Sequence, residues 1–298
     1  MLGDDSMRQL RLFDCEIRQK PINVASVPML SPFRYPGGKT WFIPYVRKWL
    51  RQYNRKVTLI EPFAGGGIVS LTACFESLVE KVIMVEKDED VASVWRTILG
   101  KDGKWLGEQI VNVEIDSENV QSLLKNRTKS LRERAFVTIL KNRLNHGGIL
   151  AYGAGLIKKG ENGKGLRSRW YPETLKKRIM DIVAVKERIE FIHGDGLRVI
   201  KENLNRKEAV FFIDPPYTKA GRRLYKYHEI DHEKLFDLAA KIKGDFLMTY
   251  DDAPEIEALA LQRCFEVGRV IMKTTHHLTK YELVIGRNLE WLRLMQET

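Results

Sequence analysis

Hydrophobic and polar positions along this chain switch repeatedly between a strand period and a helix period. Residues 57–63, VTLIEPF, form a short apolar run closed by Glu-Pro, which predicts a buried strand. Three glycines at 65–67 then lead into IVSLTACFESL, whose spacing predicts a helix. KVIMVEK at 81–87 predicts a second strand, and DEDVASVWRTIL, with acids in its first turn, the helix after it. Such a β-α-β-α opening, with glycines at the first strand-to-helix turn, predicts a parallel sheet flanked by helices.

The alternation breaks over residues 104–188, which carry helical patterns and a Gly/Lys/Arg-rich loop but no convincing buried strand. It resumes with IEFIHGD at 189–195 and with EAVFFIDPPY at 208–217, a very apolar strand stopped by two prolines. A helix from about Asp231 to Lys243 leads to the strand DFLMTYDD at 245–252. The tail segments CFEVGRVIM and KYELVIGRN predict an antiparallel pair. The expectation is one α/β domain split by an inserted helical module.

Composition narrows the partners. With 298 residues and 44% hydrophobic content the chain has material for a large core. The formal charge of +11 suits a polyanion such as nucleic acid, and equally a basic soluble protein without one. Cys15, Cys74 and Cys264 form no C-x-x-C pair, so neither a zinc site nor a disulfide framework is indicated, and a reducing cytoplasm fits. No run of 18 apolar residues predicts a membrane helix. The start, MLGDDSMRQLRLF, lacks the apolar centre of a secretion signal.

Three segments carry candidate chemistry. SPFRYPGGKT at 31–40 ends like a phosphate-binding loop, but Phe33 stands where the first glycine belongs, and the proline-rich residues before it are poor strand material. Asp214-Pro215-Pro216-Tyr217 emerges at the carboxyl end of a buried strand, where open α/β sheets bind ligands. The prolines remove two donors while their carbonyls still accept, and Asp214 is acceptor-only when ionised. Acceptors beside the Tyr217 ring suit an exocyclic amine on a flat base. EPFAGGG at 61–67 offers glycines that let a ligand approach the backbone. The next strand ends in Glu86, about 20 residues beyond Gly65, where an acid can bind ribose hydroxyls. Asp195, after IEFIHGD, could receive an adenine amine of the same cofactor.

FRYPGGK, EPFAGGG and DPPY, in this order, resemble the Dam-like (D12) class of adenine-N6 DNA methyltransferases. NRLNHGG at 142–148, KKGENGKG at 158–165, RWYPETLKKRI at 169–179, DHEKL at 231–235 and TYDDAPEI at 249–256 extend the likeness, which runs from Ser31 onward. The resemblance implies an α/β, Rossmann-like S-adenosylmethionine-dependent methyltransferase sheet: 31–104 and 188–298 form the catalytic domain, and 105–187 an inserted, mainly helical recognition module. The implied activity is site-specific N6 methylation of a flipped adenine in double-stranded DNA by a cytoplasmic, prokaryotic or phage-encoded monomer of the kind found in restriction-modification. S-adenosyl-L-methionine is the implied cofactor, with no metal.

By that resemblance Tyr35 packs on the cofactor, Lys39 lies near its methionine carboxylate, and Glu61, Gly65, Gly67, Glu86 and Asp195 line its pocket. Asp214, Pro215 and Tyr217 act at the target amine, Asp214 also lying close to the cofactor. Glu86 stands where many relatives have aspartate, and Tyr35-Pro36 where the class often has Trp-Ala. Lys158, Lys159, Lys164, Arg167 and Arg169 would contact DNA, with Arg222 and Arg223 beside the flipped base. Residues 1–30 lie outside the likeness, as an N-terminal arm. Within them Gln9, Leu10, Leu12 and Phe13 resemble the short peptide by which bacterial DNA proteins hold the sliding clamp. An RNA or N4-cytosine methyltransferase and a catalytically idle DNA-binding module remain the rival readings at this point.

Overall fold

The structure, a computed structural model, describes residues 27–34, 37–54, 56–126, 130–151, 153–160, 163–216, 229–273 and 279–296. Its centre is a seven-stranded sheet: β1 (Thr58–Glu61), β2 (Lys81–Glu86), β3 (Ile189–His193), β4 (Ala209–Ile213), β5 (Asp245–Asp251), β6 (Glu266–Lys273) and β7 (Thr279–Gly286). The spatial order is β3-β2-β1-β4-β5-β7-β6. The first five strands run parallel, and β7 lies antiparallel to both β5 and β6. The tail pair expected from the sequence forms, but its second strand is the one that joins the parallel sheet.

The central strands are buried on both faces, so they read as continuous apolar runs rather than as alternation. Successive residues still point to opposite sides. Leu59, Val210 and Phe212 enter one core, while Ile60, Phe211 and Ile213 enter the other. Helices α1 (Ile43–Leu50), α2 (Ile68–Phe75) and α3 (Glu89–Leu99) cover the first face. Helices α8 (Gly196–Glu202), α9 (His232–Lys241) and α10 (Pro254–Gln262) cover the second, and α11 (Glu290–Gln296) follows β7. Asp231 lies just outside its helix as the cap, its carboxylate accepting from Lys234 N at 2.9 Å.

Between β2 and β3 the chain builds α4 (Gly103–Asn112), α5 (Ser117–Lys125), α6 (Leu131–Leu144) and α7 (Pro172–Ala184). Ser130 and Glu133 close a reciprocal capping box at the start of α6. Helix α6 packs on α3 and α4 on α7, so Leu106, Ile139, Leu140 and Ile179 share a core with Trp95 and Leu59. The inserted helices are thus continuous with the sheet's first face. Among the described residues no helix is long and apolar enough to cross a membrane.

Strand order reverses between β1 and β4, since β2 and β3 extend to one side and β5 to the other. At such a switch point the loops leave in opposite directions and open a crevice at the carboxyl ends of the strands.

Candidate active site

The crevice is a cavity of about 780 Å³. Glu61 closes β1, Glu86 closes β2, and Asp214 follows β4 on its rim. Because β7 runs the other way, the early part of that strand reaches the same edge, with Glu282 opposite Asp251.

The glycine turn after β1 is held from behind. Gly67 precedes α2 with φ +63°, a left-handed conformation that favours glycine. A Cβ there would lie 2.4 Å from Met84 Cε and 2.9 Å from the Trp95 ring. The Trp95 indole also donates to the Gly65 carbonyl at 2.9 Å. The turn therefore lies flat on a packed wall, with its open side toward the cavity.

Backbone N–H groups hold two of the acids beside it, Glu86 and Glu61. Glu86 accepts from Gly65 N at 3.0 Å and from Asp88 N at 2.7 Å. Burial, partly offset by these N–H donors, pushes its carboxyl up to about 7. Glu61 accepts from Ser70 N at 3.0 Å. Burial pushes it up to about 8; the Ser70 bonds oppose the rise, and the Asp214 and Glu86 charges add to it. Asp195 caps α8 through Leu197 N at 2.9 Å and Arg198 N at 3.2 Å, and pairs with Lys87 at 3.2 Å. Burial alone would raise its pKa, but these partners hold it below the ordinary carboxylate range.

Lys39 is the buried cation of the site. Its ammonium lies 3.0 Å from Asp214 Oδ1 and 2.5 Å from Glu282 Oε1. Burial by itself would lower the lysine's pKa, but the two carboxylates outweigh it and raise the value. Thr249 Oγ1, on β5, donates to the same Asp214 oxygen at 2.9 Å. The Lys39 and Glu282 side chains are 4% and 3% exposed, against 20% for Asp214, so all three line the cavity but Asp214 is the most accessible of them.

The RYPGGK segment is anchored from the inserted helices. Asn142 on α6 accepts from Arg34 N at 2.8 Å and donates to Arg34 O at 2.9 Å and Gly148 O at 2.8 Å. Gly148, at φ +75°, passes so close that a Cβ would meet Arg34 O at 2.4 Å. Ser31 Oγ donates to Gly66 O at 2.5 Å, tying this segment to the glycine turn.

Of the residues singled out in the sequence, Lys39, Glu61, Gly65, Gly67, Glu86, Asp195, Asp214 and Pro215 all line this one cavity. Lys158, Lys159, Lys164 and Arg167 are exposed on the inserted segment, and Arg169 is half-buried. Arg167 Nε is tied to Ile115 O at 2.9 Å. Tyr35, Tyr217, Arg222, Arg223 and the clamp-like Gln9, Leu10, Leu12 and Phe13 lie outside the described residues. Sequence reasoning gave no role to Glu282, Thr249 or Asn142, although Asn142 opens NRLNHGG and Thr249 opens TYDDAPEI. Glu282 carried one signal, as the lone acid inside the apolar run of KYELVIG.

The residues suit a nucleoside sulfonium cofactor. Carboxyl groups at Glu86 and Asp195 and open backbone at Gly65–Gly67 line the same cavity, whose volume accommodates a large ligand.

Comparison with known proteins places residues 35–149 within the model of the D12 class N6 adenine-specific DNA methyltransferases. No curated protein matches the chain. Among solved structures, an S-adenosylmethionine-dependent methyltransferase of Agrobacterium tumefaciens aligns at 10% identity and TM-score 0.40, over 83% of this chain and 61% of that one. A precorrin-6y C5,15-methyltransferase of Geobacter metallireducens aligns at 9% identity and TM-score 0.36, over 83% and 86%. The TrmK protein of M. capricolum, solved with S-adenosyl-homocysteine, aligns at 6% identity and TM-score 0.37, over 81% and 66%. The matched stretch, together with the Rossmann-like sheet seen here, supports an S-adenosyl-L-methionine-dependent methyltransferase.

Proposed function

We propose that this enzyme methylates the N6 amine of an adenine flipped out of double-stranded DNA at a specific site. The observation that carries the reading is the anchoring of Asp214. Lys39 and Thr249 both bind its Oδ1, on the rim of a cavity that also holds a nucleoside-type glycine turn. We assign the Asp214 carboxylate and the Pro215 carbonyl to the two hydrogens of the target amine.

When bound, S-adenosyl-L-methionine supplies an electrophilic methyl group. Glu86 would hold the ribose hydroxyls, Asp195 the adenine amine, and Gly65 and Gly67 the backbone side of the pocket. The protein's own task is to make an aromatic amine nucleophilic. Two acceptors at Asp214 and Pro215 draw its hydrogens to one side and free the lone pair from ring conjugation. Holding that nitrogen in line with its reaction partner supplies much of the rate enhancement. The nitrogen sheds its proton after alkylation, so Asp214 need not be a strong base.

A stacked base cannot reach Asp214, so extrusion from the duplex is required, at about a few kcal/mol. Stacking on Tyr217 would return part of that, with Tyr35 placed against the cofactor. In this reading residues 105–187 are the recognition module and 31–104 with 188–298 the catalytic domain. The exposed Lys158, Lys159, Lys164 and Arg167 on the inserted segment favour this assignment.

The deciding experiment incubates full-length protein with labelled S-adenosylmethionine and unmethylated duplex DNA, followed by digestion to nucleosides, with Asp214→Ala in parallel. Label in N6-methylated deoxyadenosine, reduced about 10²-fold or more in the variant, is expected from the loss of comparable polar groups. Label in cytosine overturns the base assignment, and label appearing only with RNA overturns the DNA assignment.

A further inference from the structure

Three arginines meet at the Ser31–Arg34 segment without an acid among them. Arg143, on α6, is 5% exposed and its guanidinium donates to the Pro32 carbonyl. Arg178, on α7, donates to the Ser31 carbonyl at 3.2 Å. Arg34 lies two residues further along and lines the active-site cavity. Among the described residues no carboxylate pairs with any of the three. Arg34 Nη1 and Arg143 Nε are both buried without a hydrogen-bond partner.

This arrangement is unusual in a folded protein. A guanidinium stays protonated at any ordinary pH, and a buried charge without a partner is costly. Burial and the neighbouring Arg178 and Arg34 charges push Arg143 down to about 9, still above neutrality, so the positive field persists. Arg169 adds a further cation near Arg34. Asn142 and Ser31 hold the backbone of this segment, and the Pro32 and Ser31 carbonyls hold the Arg143 and Arg178 guanidinium groups against it.

We propose that Arg34, with Arg143 and Arg178 beside it, forms an anion site on the cavity wall that grips a backbone phosphate of the nucleic-acid strand beside the flipped nucleotide. The forked donors of arginine match a phosphodiester's two free oxygens. Two of the three arginines come from the inserted segment that also displays Lys158, Lys159, Lys164 and Arg167, and Arg169 of the same segment acts on Arg34. A phosphate held there would fix the sugar-phosphate chain while the base is in the pocket. The inference rests on the proposed DNA substrate.

The test uses full-length wild type, Arg34→Gln and Arg34→Lys. The Arg34 guanidinium makes no hydrogen bond that the fold relies on, whereas its backbone bonds to Asn142 survive substitution. Binding of a fluorescent unmethylated duplex is measured across salt concentration, and binding of S-adenosyl-homocysteine separately by calorimetry. For Arg34→Gln the expected result is weaker duplex binding, a log–log salt slope smaller by about 0.9, and unchanged S-adenosyl-homocysteine affinity. Arg34→Lys should restore the slope but not the full affinity, because an ammonium lacks the fork. Unchanged duplex affinity and slope in Arg34→Gln overturn the site while leaving the proposed function intact. Lost S-adenosyl-homocysteine affinity with an unchanged slope reassigns the anion to the cofactor's carboxylate and also overturns it. A wild type that binds no duplex overturns the proposed function, and this inference with it.

Discussion

Glu282, on the antiparallel strand β7, sits 2.5 Å from the ammonium of Lys39, which in turn is 3.0 Å from Asp214. One buried cation therefore joins the aspartate of the DPPY turn to a carboxylate on a strand two places along the sheet. The lysine of the RYPGGK segment thus stands behind Asp214 as well as beside the cofactor space.

Removing the cation alone should be severe. Lys39→Met removes the cation that both Asp214 and Glu282 bind, and a loss of about 3–5 kcal/mol is expected in urea denaturation. Replacing Glu282 by Leu in the same protein should recover much of that stability, since the buried charge is removed with its partner. Methyl transfer should stay low in both. A Lys39→Met protein as stable as wild type would falsify the coupling.

Glu282→Gln probes positioning rather than contact with substrate. The neutral amide can still accept from Lys39, but the ammonium then leans toward Asp214 and holds it more tightly. Turnover should fall by about 10-fold, on the scale of one charge-assisted hydrogen bond, while S-adenosyl-homocysteine binding holds. If single-turnover rates match wild type, Glu282 has no part in placing Asp214.

The raised carboxyl at Glu61 gives stability a pH dependence of defined sign. Its ordinary value is 4.5 and burial pushes it to about 8. Between those values the folded state keeps a proton that the unfolded chain has lost, so stability must fall as pH rises through this window. The loss should be on the order of a few kcal/mol across the window, with Glu86 acting in the same direction. Denaturation midpoints of Glu61→Gln should be much flatter from pH 5 to 8, because glutamine keeps an acceptor for Ser70 N without ionising. Parallel curves for variant and wild type would rule Glu61 out as the source.

Gly67→Ala tests the wall behind the glycine turn. The left-handed backbone costs about 1–2 kcal/mol for an L side chain. The added methyl must also displace Met84 or Trp95. A lower melting temperature together with weaker S-adenosyl-homocysteine binding in calorimetry is expected. Wild-type affinity would mean that the turn does not shape the pocket.

Much of this architecture was legible along the chain. Short β-rich apolar runs marked all seven strands, because strand identity here is largely local, most plainly in β1, β4 and β5, which are buried on both faces. The acids at strand ends, Glu61, Glu86 and Asp214, were equally visible, since a parallel sheet delivers every strand's carboxyl end to one edge. Tertiary structure alone decided what those ends meet. The slot of β7 between β5 and β6 brings Glu282 to Lys39, and no local period encodes which neighbour a strand will choose. Likewise Asn142 and Arg34, 108 positions apart in sequence, bond to each other, gathering three arginines whose sequence contexts look ordinary. Periodicity reports which face a residue takes. Buried charges are matched by long-range packing, and there the folded chain supplies what its sequence does not display.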